Sequence, residues 1–396
     1  MVGRAQAAAY PPEYTAQVVE QVQTQASANQ DEAIVGALRS IAFVALAVGL
    51  LWAIGAGRMS ARAAALALSV LVAVDLWSIE RKYWRFSEPA SRVYASDPAI
   101  DAIKNAPVPS RVVSWDPLHQ KKNGDALFRG DAFMVHDVRM VAGYHGNELG
   151  RYQQLLDATT LTLNIPGLPG VPCYCKPELW RHENAQFMYS TLPDSLMPVA
   201  AAQLGIPAPQ KVLGPVTNAA GSTVYLYRLA GENPPAWVAT TMVKGTDEQA
   251  LATILDPRFE QTRAAIIDTG AAVAVPQLSA VPSPSGIQAN VTRFDAGRID
   301  VTLSAPAPAG AALVVSENFY PGWRATAGGT DVPTMRANFN LIGVALPAGA
   351  REIQLRFTDP AYQTGKLITW LAIALAMASA IAGVILDRRR RAAVTA

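Results

Sequence analysis

The chain has 396 residues, of which 51% are apolar and 16% are charged, and its formal net charge is +2. A charged fraction this low at this length is typical of a membrane protein with a large water-facing part. The near-neutral charge, with no basic block before the C-terminal arginines, argues against nucleic acid as the main partner.

The first 80 residues predict a polar lead followed by a helical hairpin in the membrane. The lead is acidic and lacks the apolar h-region of a signal peptide. Residues 40–57 and 63–79 are apolar and long enough to cross the hydrocarbon core of a bilayer as helices. The loop between them carries Arg58 and Arg62, so we expect this loop to face the cytoplasm.

Asp75 is the one carboxylate within these two apolar stretches. An ionisable side chain inside a membrane is a functional hypothesis, because burying it is costly. Asp75 lies within two turns of Arg81 and Lys82, however, near the expected membrane surface. Contact with water or an ion pair is therefore the favoured interpretation of this residue.

The region that follows has the composition of a folded, water-facing domain. Asp97 before Pro98 is the signature of a helix start, with the aspartate as the N-cap. Residues 111–115, 186–191 and 221–229 are short apolar runs typical of strands, and the last follows turn residues. These patterns predict a mixed α/β region.

After Gly270 the pattern becomes all β. Short runs rich in β-branched residues alternate with Gly, Pro and Asp, and several of them alternate apolar and polar residues. The predicted strands are 288–294, 298–304, 311–316, 341–346 and 352–357. Their length and spacing predict a β-sandwich, separated from the region before it by a Pro- and Ser-rich linker at 275–286.

The last apolar stretch predicts a third membrane span. Residues 367–386 carry no charge, and four arginines follow at 388–391. Arginines directly after a span place the C-terminus in the cytoplasm. The span then enters from outside, the bulk of the chain lies outside, and so does the N-terminal lead. We therefore expect this chain to be the C-terminal portion of a longer multi-span protein or to work beside an upstream multi-span partner.

The two cysteines of the chain, Cys173 and Cys175, allow three interpretations. They could supply two zinc ligands, although a zinc site needs two more. They could instead form a disulfide across Tyr174 in an oxidising compartment, or remain two free thiols. The last two interpretations are favoured, and we predict neither a metal site nor a cofactor.

The central region also contains a loose cluster of polar residues whose types are common in active sites. Its members are Asp131, His136, Asp137, His145 and Glu148. Solvated loop residues are the favoured interpretation of this cluster. The HExxH, GxSxG, P-loop and GxGxxG patterns do not occur, so nothing in the sequence favours a hydrolase or a nucleotide-binding enzyme. No catalytic residue is assigned.

Residues 316–324 read SENFYPGWR. Aromatic faces such as those of Tyr320 and Trp323, beside the Arg324 guanidinium, are typical of sugar recognition: rings stack on C–H faces and charged groups bind hydroxyls or phosphate. The alternative is that Tyr320 and Trp323 close the core of the sandwich over a tight turn. Taken alone, the residues favour this alternative.

The stretch 316–357, from SENFYPGWR to EIQLRF, resembles the C-terminal signature of the bacterial YfhO-like membrane proteins. Three further segments resemble parts of that family: VDLWSIERKY at 74–83, MVAGYHGNELGRY at 140–152 and YRLAGENPPAW at 227–237. The resemblance implies a cell-envelope protein with a glycosyltransferase C-type architecture. Such proteins are thought to move sugars from a polyprenyl-phosphate donor onto an envelope polymer outside the membrane.

The resemblance also implies where ligand contacts and catalysis would lie. The expected ligand-contacting residues are Tyr320, Trp323, Arg324, Tyr144 and His145. The acidic catalytic residue of the family is expected in a first extracytoplasmic loop that this chain does not contain. The chain would then position an envelope polymer or a lipid-linked sugar. The alternative is a non-catalytic, membrane-anchored carbohydrate-binding or scaffolding module.

The predicted fold class is a membrane α-helical protein with three spans, an extracytoplasmic mixed α/β region and a C-terminal β-sandwich. The predicted parts are a polar lead (1–33), a transmembrane helical hairpin (34–80), a mixed α/β domain (81–274), a β-sandwich (287–360), a transmembrane helix (366–387) and a basic cytoplasmic tail (388–396). The expected location is the bacterial cytoplasmic, or inner, membrane.

Overall fold

The computed structural model describes residues 12–81, 83–84, 86, 88–106, 109–121, 124–143, 148–277 and 280–394. The chain divides into two units, Met1–Glu88 and Pro89–Ala396. They are called the N-terminal unit and the C-terminal unit below.

The N-terminal unit contains two long helices, α1 (Pro12–Gly55) and α2 (Ala61–Glu80). Ala33–Gly55 and Arg62–Glu80 are long and apolar enough to cross a membrane, which agrees with the two spans predicted here. Helix α1 begins much earlier than the predicted span. Its polar first half is rich in Ala, Gln and Glu and has no internal Gly or Pro before Gly36, so nothing in the sequence ends the helix.

An ion pair joins these two helices. The Arg39 guanidinium pairs with the Asp75 carboxylate, donates from Nη2 to the Asp75 carbonyl oxygen at 2.6 Å, and donates from Nε to Ser78 Oγ at 2.9 Å. The partner of Asp75 therefore comes from the other helix. The sequence had suggested its own neighbours Arg81 and Lys82, of which Lys82 lies outside the described residues.

The first sheet of the C-terminal unit has the strand order β2-β1-β5-β7-β6. Its strands are β1 (Arg111–Trp115), β2 (Arg139–Met140), β5 (Ala185–Ser190), β6 (Gln210–Thr217) and β7 (Thr223–Arg228). β1 runs parallel to β2 and β5, whereas β7 is antiparallel to β5 and β6. The strands predicted at 111–115 and 186–191 correspond closely to β1 and β5.

Both faces of this first sheet are covered, since side chains alternate along each strand. Val112 packs on one face with helix α4 and two short 3-10 helices. Val113 packs on the other face with helices α5, α6 and α7 and with the β3–β4 hairpin. These elements are α3 (Ala90–Val93), α4 (Pro98–Lys104), the 3-10 helices Ala126–Phe128 and Ala132–His136, α5 (Gly150–Thr159), β3 (Leu161–Ile165), β4 (Leu168–Cys173), α6 (Pro177–His182) and α7 (Met197–Leu204). As predicted, Asp97 caps α4, accepting from the Ala99 and Ile100 amides.

Two further sheets pack their side chains into one shared core. The six-stranded sheet has the order β8-β13-β17-β16-β10-β9, and the five-stranded sheet has the order β11-β12-β18-β14-β15. Leu313 and Ile342 of the six-stranded sheet pack against Val301, Trp323 and Leu355 of the five-stranded sheet just described. The strands are β8 (Ala236–Ala239), β9 (Thr241–Gly245), β10 (Ala264–Asp268), β11 (Ala289–Asp295), β12 (Arg298–Leu303), β13 (Ala312–Asn318), β14 (Trp323–Ala327), β15 (Thr330–Val332), β16 (Thr334–Ala337), β17 (Leu341–Ala345) and β18 (Glu352–Phe357), with helix α8 (Asp247–Ile254) between β9 and β10.

The predicted linker at 275–286 lies between β10 and β11, but strands before it and strands after it belong to one sheet. Strands β8, β9 and β10 precede it, yet they share the six-stranded sheet with β13, β16 and β17, which follow it. Val238 pairs with Leu313, for example, and Ile267 pairs with Ala337. The reason is that β8 and β10 are buried on both sides, so they show no alternation that would have assigned them to a sheet.

The C-terminal unit ends in helix α9 (Pro360–Val394), which begins directly after β18. Asp359 caps the helix by accepting hydrogen bonds from the Ala361 and Tyr362 amides at 2.8 and 3.2 Å. Its segment Pro360–Leu386 is long and apolar enough to cross a membrane, in agreement with the third predicted span.

Candidate functional site

A cavity of about 720 Å³ opens on the C-terminal unit beside strand β2. Its wall is built from β2, helix α5, the β11–β12 turn and the end of β13. The apolar part of the wall is Met134, Val138, Met140, Val141, Ala142, Leu149, Leu156, Phe294 and Ala296. The charged part is Arg111, Arg139, Asp131, Asp137, Glu148, Asp295 and Glu317, and the rest is Gly143, Tyr152, Gln153 and Asn318.

The floor of the cavity is an alternating row of charges. The Glu317 carboxylate on β13 pairs with the Arg139 guanidinium on β2, and it also lies 3.5 Å from Arg111 Nη2 on β1. These strands belong to two different sheets, so Glu317 connects the first sheet to the six-stranded sheet.

Arg111 is held from behind by buried acceptors. Its Nη1 lies 3.5 Å from Glu183 Oε2 and donates to the carbonyl oxygens of Glu183 and Ser316 at 2.8 and 2.9 Å. Burial lowers the pKa of Arg111, but the carboxylates of Glu317 and Glu183 outweigh it and leave the pKa raised. Arg111 is thus a fixed cation that positions Glu317.

The second cation of the cavity floor is Arg139. Burial, followed by the like charge of Arg111, lowers the pKa of Arg139 to about 10, so the side chain remains charged at neutral pH. Its guanidinium carbon lies 4.3 Å from the centre of the Phe294 ring, a cation–π contact. Its Nη1 has no hydrogen-bond partner among the described residues.

Two further buried groups, Tyr152 in the cavity wall and His182 behind it, are neutral. The Tyr152 hydroxyl donates to the Val141 carbonyl oxygen, and burial raises the pKa of this tyrosine well above its usual value. Behind the cavity, burial lowers the pKa of His182, whose Nε2 lies 2.7 Å from Asn340 Oδ1. At neutral pH both groups are therefore uncharged, and the ion pairs of the floor supply the charge of the site.

Carboxylates outnumber guanidinium groups on the described wall of the cavity. Asp131, Asp137, Glu148, Asp295 and Glu317 share this wall with two arginines, and of these carboxylates Asp295 also pairs with Arg293. Gly143 allows the close approach of one of them, because a Cβ at this position would overlap the Asp131 carboxylate. The site is therefore rich in hydrogen-bond acceptors and suits hydroxyl or amino groups better than an anion.

The exposed part of the cavity wall mixes apolar and acidic residues, and the acidic ones are Asp137, Glu148 and Asp295. Met134 on the second 3-10 helix is 66% exposed, and Leu149, just before α5, is 38% exposed. Both side chains belong to the cavity wall. Exposed carboxylates beside exposed apolar side chains are suited to an amphiphilic ligand or to the hydroxyls and C–H faces of a sugar.

The structure separates the three ligand-contacting residues predicted in SENFYPGWR from this cavity. Trp323 is buried in the core, with its ring centre 5.5 Å from that of Phe357. Tyr320 is half exposed, and Arg324 follows Trp323 on β14, so its side chain points to the opposite face. None of the three belongs to the cavity wall.

The other two predicted contacts, Tyr144 and His145, lie outside the described residues. Three members of the loose polar cluster, Asp131, Asp137 and Glu148, are brought together in the cavity wall. His136 is not among the described wall residues. Asp137 and Glu148 are exposed there, which agrees with the interpretation of solvated loop residues, and the structure adds that they share one cavity wall with Asp131.

Sequence reasoning also missed the floor of the cavity. Glu317 is the carboxylate of the quoted motif, and Arg111 opens the strand RVVSW, but neither is among the predicted ligand-contacting residues. A signal was present in both cases, namely a charged residue directly at the end of an apolar run. Arg139 and Glu183 lie on a two-residue strand and after a short helix, where no periodicity marks them.

The cysteines form a disulfide, Cys173–Cys175, at the end of β4. Both side chains are buried. The disulfide occupies both sulfurs, so of the three interpretations of this pair the structure adopts the disulfide.

Together these features define the chain as a candidate membrane protein with a large, mostly β region. In the described part of the chain, three helices could span a membrane, and a mostly β region with several sheets carries an acceptor-rich cavity. No protein-family model, curated protein or solved structure matches this chain.

Proposed function

We propose that this chain is a multi-pass protein of the bacterial cytoplasmic membrane that binds the saccharide part of an envelope polymer or of a lipid-linked sugar. The observation that carries the proposal is the cavity floored by Arg139 and Glu317. Its volume of about 720 Å³ falls in the range of ordinary small-ligand sites. Carboxylate oxygens accept hydrogen bonds from sugar hydroxyls.

The water-facing part is proposed to lie outside the cytoplasm, with the two packed sheets as a β-sandwich. The Cys173–Cys175 disulfide supports this location, because disulfides persist in oxidising compartments. The four arginines at 388–391 support it independently, because they favour a cytoplasmic C-terminus for α9.

In its fuller form, the proposal is that the chain acts as the C-terminal part of a YfhO-like glycosyltransferase that uses a polyprenyl-phosphate sugar. What supports this form is the resemblance of residues 316–357, together with the position of Glu317 from that stretch in the cavity floor. Sugar transfer would then take place on residues outside this chain. The alternative, a non-catalytic carbohydrate-binding or scaffolding module, would have no such catalytic residues.

The test is a binding titration of the full chain in lipid nanodiscs with neutral, amino and phosphorylated oligosaccharides. Because carboxylates exceed cations on the described cavity wall, we expect neutral and amino sugars to bind more tightly than phosphorylated ones. A preference for the phosphorylated sugars, or no binding of any of them, would contradict the proposal.

A matched pair of variants ties the binding to this cavity. Met134→Trp adds bulk to the cavity wall, and we expect it to weaken binding by about tenfold or more, corresponding to ~1.4 kcal/mol. Val135→Trp is the control, since Val135 is exposed on the same 3-10 helix but is not part of the described wall. Equal affinities of the two variants would place the ligand elsewhere.

A further inference from the structure

The turn of the SENFYPGWR motif is fastened to the start of the C-terminal helix. The Thr358 amide donates to the Gly322 carbonyl oxygen at 2.9 Å, two residues before α9 begins at Pro360. A Cβ on Gly322 would lie 2.7 Å from Thr358 O and from Phe357 Cε2, so the close approach requires glycine. The turn and the helix start therefore form one structural element.

Aromatic side chains surround this element and are exposed. Tyr320, Phe357 and Tyr362 are 50%, 36% and 65% exposed, and are called the aromatic collar below. The ring centres of Tyr320 and Phe357 are 6.1 Å apart. The buried Trp323 ring packs on Phe357 from the core side, so the collar is supported from within. In a water-soluble protein this cluster would leave the exposed parts of three rings in contact with solvent.

The position of the collar along the chain matches the level of the lipid headgroups. The uncharged run of α9 begins at Leu367, directly after Lys366. Tyr362 precedes Leu367 by five residues, or about 7.5 Å along a helix. The headgroup layer of one leaflet is about 5–8 Å thick. Tyrosine favours this layer because its ring is apolar and its hydroxyl is polar.

The collar is also continuous with the cavity wall. The Phe357 amide donates to the Gly297 carbonyl oxygen at 2.9 Å, and Gly297 directly follows Ala296 of the wall. On the other side, Glu317 of the floor precedes Tyr320 by three residues, a span of at most ~11 Å. The cavity and the collar are thus neighbouring parts of one strand-and-turn region.

We infer that the aromatic collar lies in the lipid headgroup layer and holds the cavity at the membrane surface. A ligand that is itself anchored in the membrane could then reach the cavity without leaving the bilayer, and the exposed apolar side chains of Met134 and Leu149 on the cavity wall are suited to it. The inference goes beyond the proposed function and does not depend on the ligand being a sugar.

The test measures the depth of single spin labels on the full chain in lipid nanodiscs. Both native cysteines are held in a disulfide, so an introduced cysteine is the one thiol open to labelling. Tyr320→Cys and Tyr362→Cys probe the collar. Thr330→Cys, exposed at the start of β15, is the water reference, and Ala376→Cys, near the middle of the apolar run of α9, is the hydrocarbon reference.

Relaxation of each label by oxygen, relative to relaxation by a water-soluble nickel chelate, reports its depth. We expect this ratio to be several-fold higher at positions 320 and 362 than at 330, and lower than at 376. A ratio at 320 equal to that at 330 would overturn the inference, even if position 362 alone lay at headgroup depth. Sugar-binding affinity does not enter this measurement, so its outcome is independent of the proposed function.

Discussion

The Arg111 guanidinium lies 3.5 Å from the Glu183 carboxylate, and both side chains are almost completely buried. Arg111 belongs to β1 of the first sheet, and the same guanidinium donates to Ser316 on β13 of the six-stranded sheet. Asn340, after β16, donates to the other oxygen of Glu183 at 3.2 Å. This buried pair therefore joins the two sheets on which the cavity is built.

We predict that Glu183→Gln destabilises the protein by about 3–5 kcal/mol, because it leaves the buried Arg111 charge with one fewer neutralising partner. The measurement is urea unfolding of the full chain in detergent micelles, followed by tryptophan fluorescence. Glu178→Gln on α6 is the control, and we expect it to cost less than ~0.5 kcal/mol. Equal losses in the two variants would show that the buried pair has no special role.

We also predict that stability falls below about pH 6.5 in a way that depends on His182. Burial, the largest influence, lowers the pKa of His182, although Glu183 and Asn340 raise it. The unfolded chain then takes up this proton first as the pH falls. The contribution of His182 to stability is complete above the unfolded pKa of about 6.5 and is lost below it, by up to ~1.4 kcal/mol per pH unit.

The measurement for His182 is the free energy of unfolding at pH 7.5 and pH 5.5. We expect His182→Gln to show a smaller loss between the two values than the wild type. His119→Asn is the control, since His119 is exposed and its backbone φ of 42° is one that asparagine tolerates. An unchanged pH dependence in His182→Gln would contradict the prediction.

Removing the disulfide should have a modest effect on stability. The Cys173–Cys175 bridge closes a loop of only three residues, for which loop entropy predicts a loss of about 1–2 kcal/mol in the double variant Cys173→Ser, Cys175→Ser. Denaturant unfolding of the two proteins measures the difference. In addition, protein purified from the membrane should show no maleimide-reactive thiol even when unfolded, unless it is first reduced. Two reactive thiols without reductant would rule out the bridge.

Asp75→Asn should loosen the hairpin of α1 and α2. The change removes the carboxylate that pairs with Arg39, and a hydrogen bond to a charged group contributes about 1.5–3 kcal/mol. Thermal denaturation of the full chain in a mild detergent measures the loss as a lower midpoint. The exchange Arg39→Asp with Asp75→Arg restores the pairing and should recover part of the midpoint. Failure of the exchange variant to recover any stability would count against a pairwise role.

The local patterns of the sequence account for the elements of the fold better than for their assembly. The capped helix at Asp97 and the strand at Arg111 follow from neighbouring residues, and the structure agrees with both. Strands β8 and β10 could not be assigned to their sheet, because fully buried strands show no alternation. The partner of Asp75 was likewise beyond local reasoning, since Arg39 is 36 residues away.

The sequence by itself determined that three segments of the chain have the length and apolar composition of membrane spans, because both properties belong to consecutive residues. Only the tertiary structure decided where the charged residues of the β region meet. Arg111 and Glu317 are 206 positions apart and converge in one cavity, whereas Trp323, six residues after Glu317, enters the core. The reason is that Glu317 and Trp323 lie on strands of two different sheets, and the packing of the sheets decides which side chains enter the core and which line the cavity.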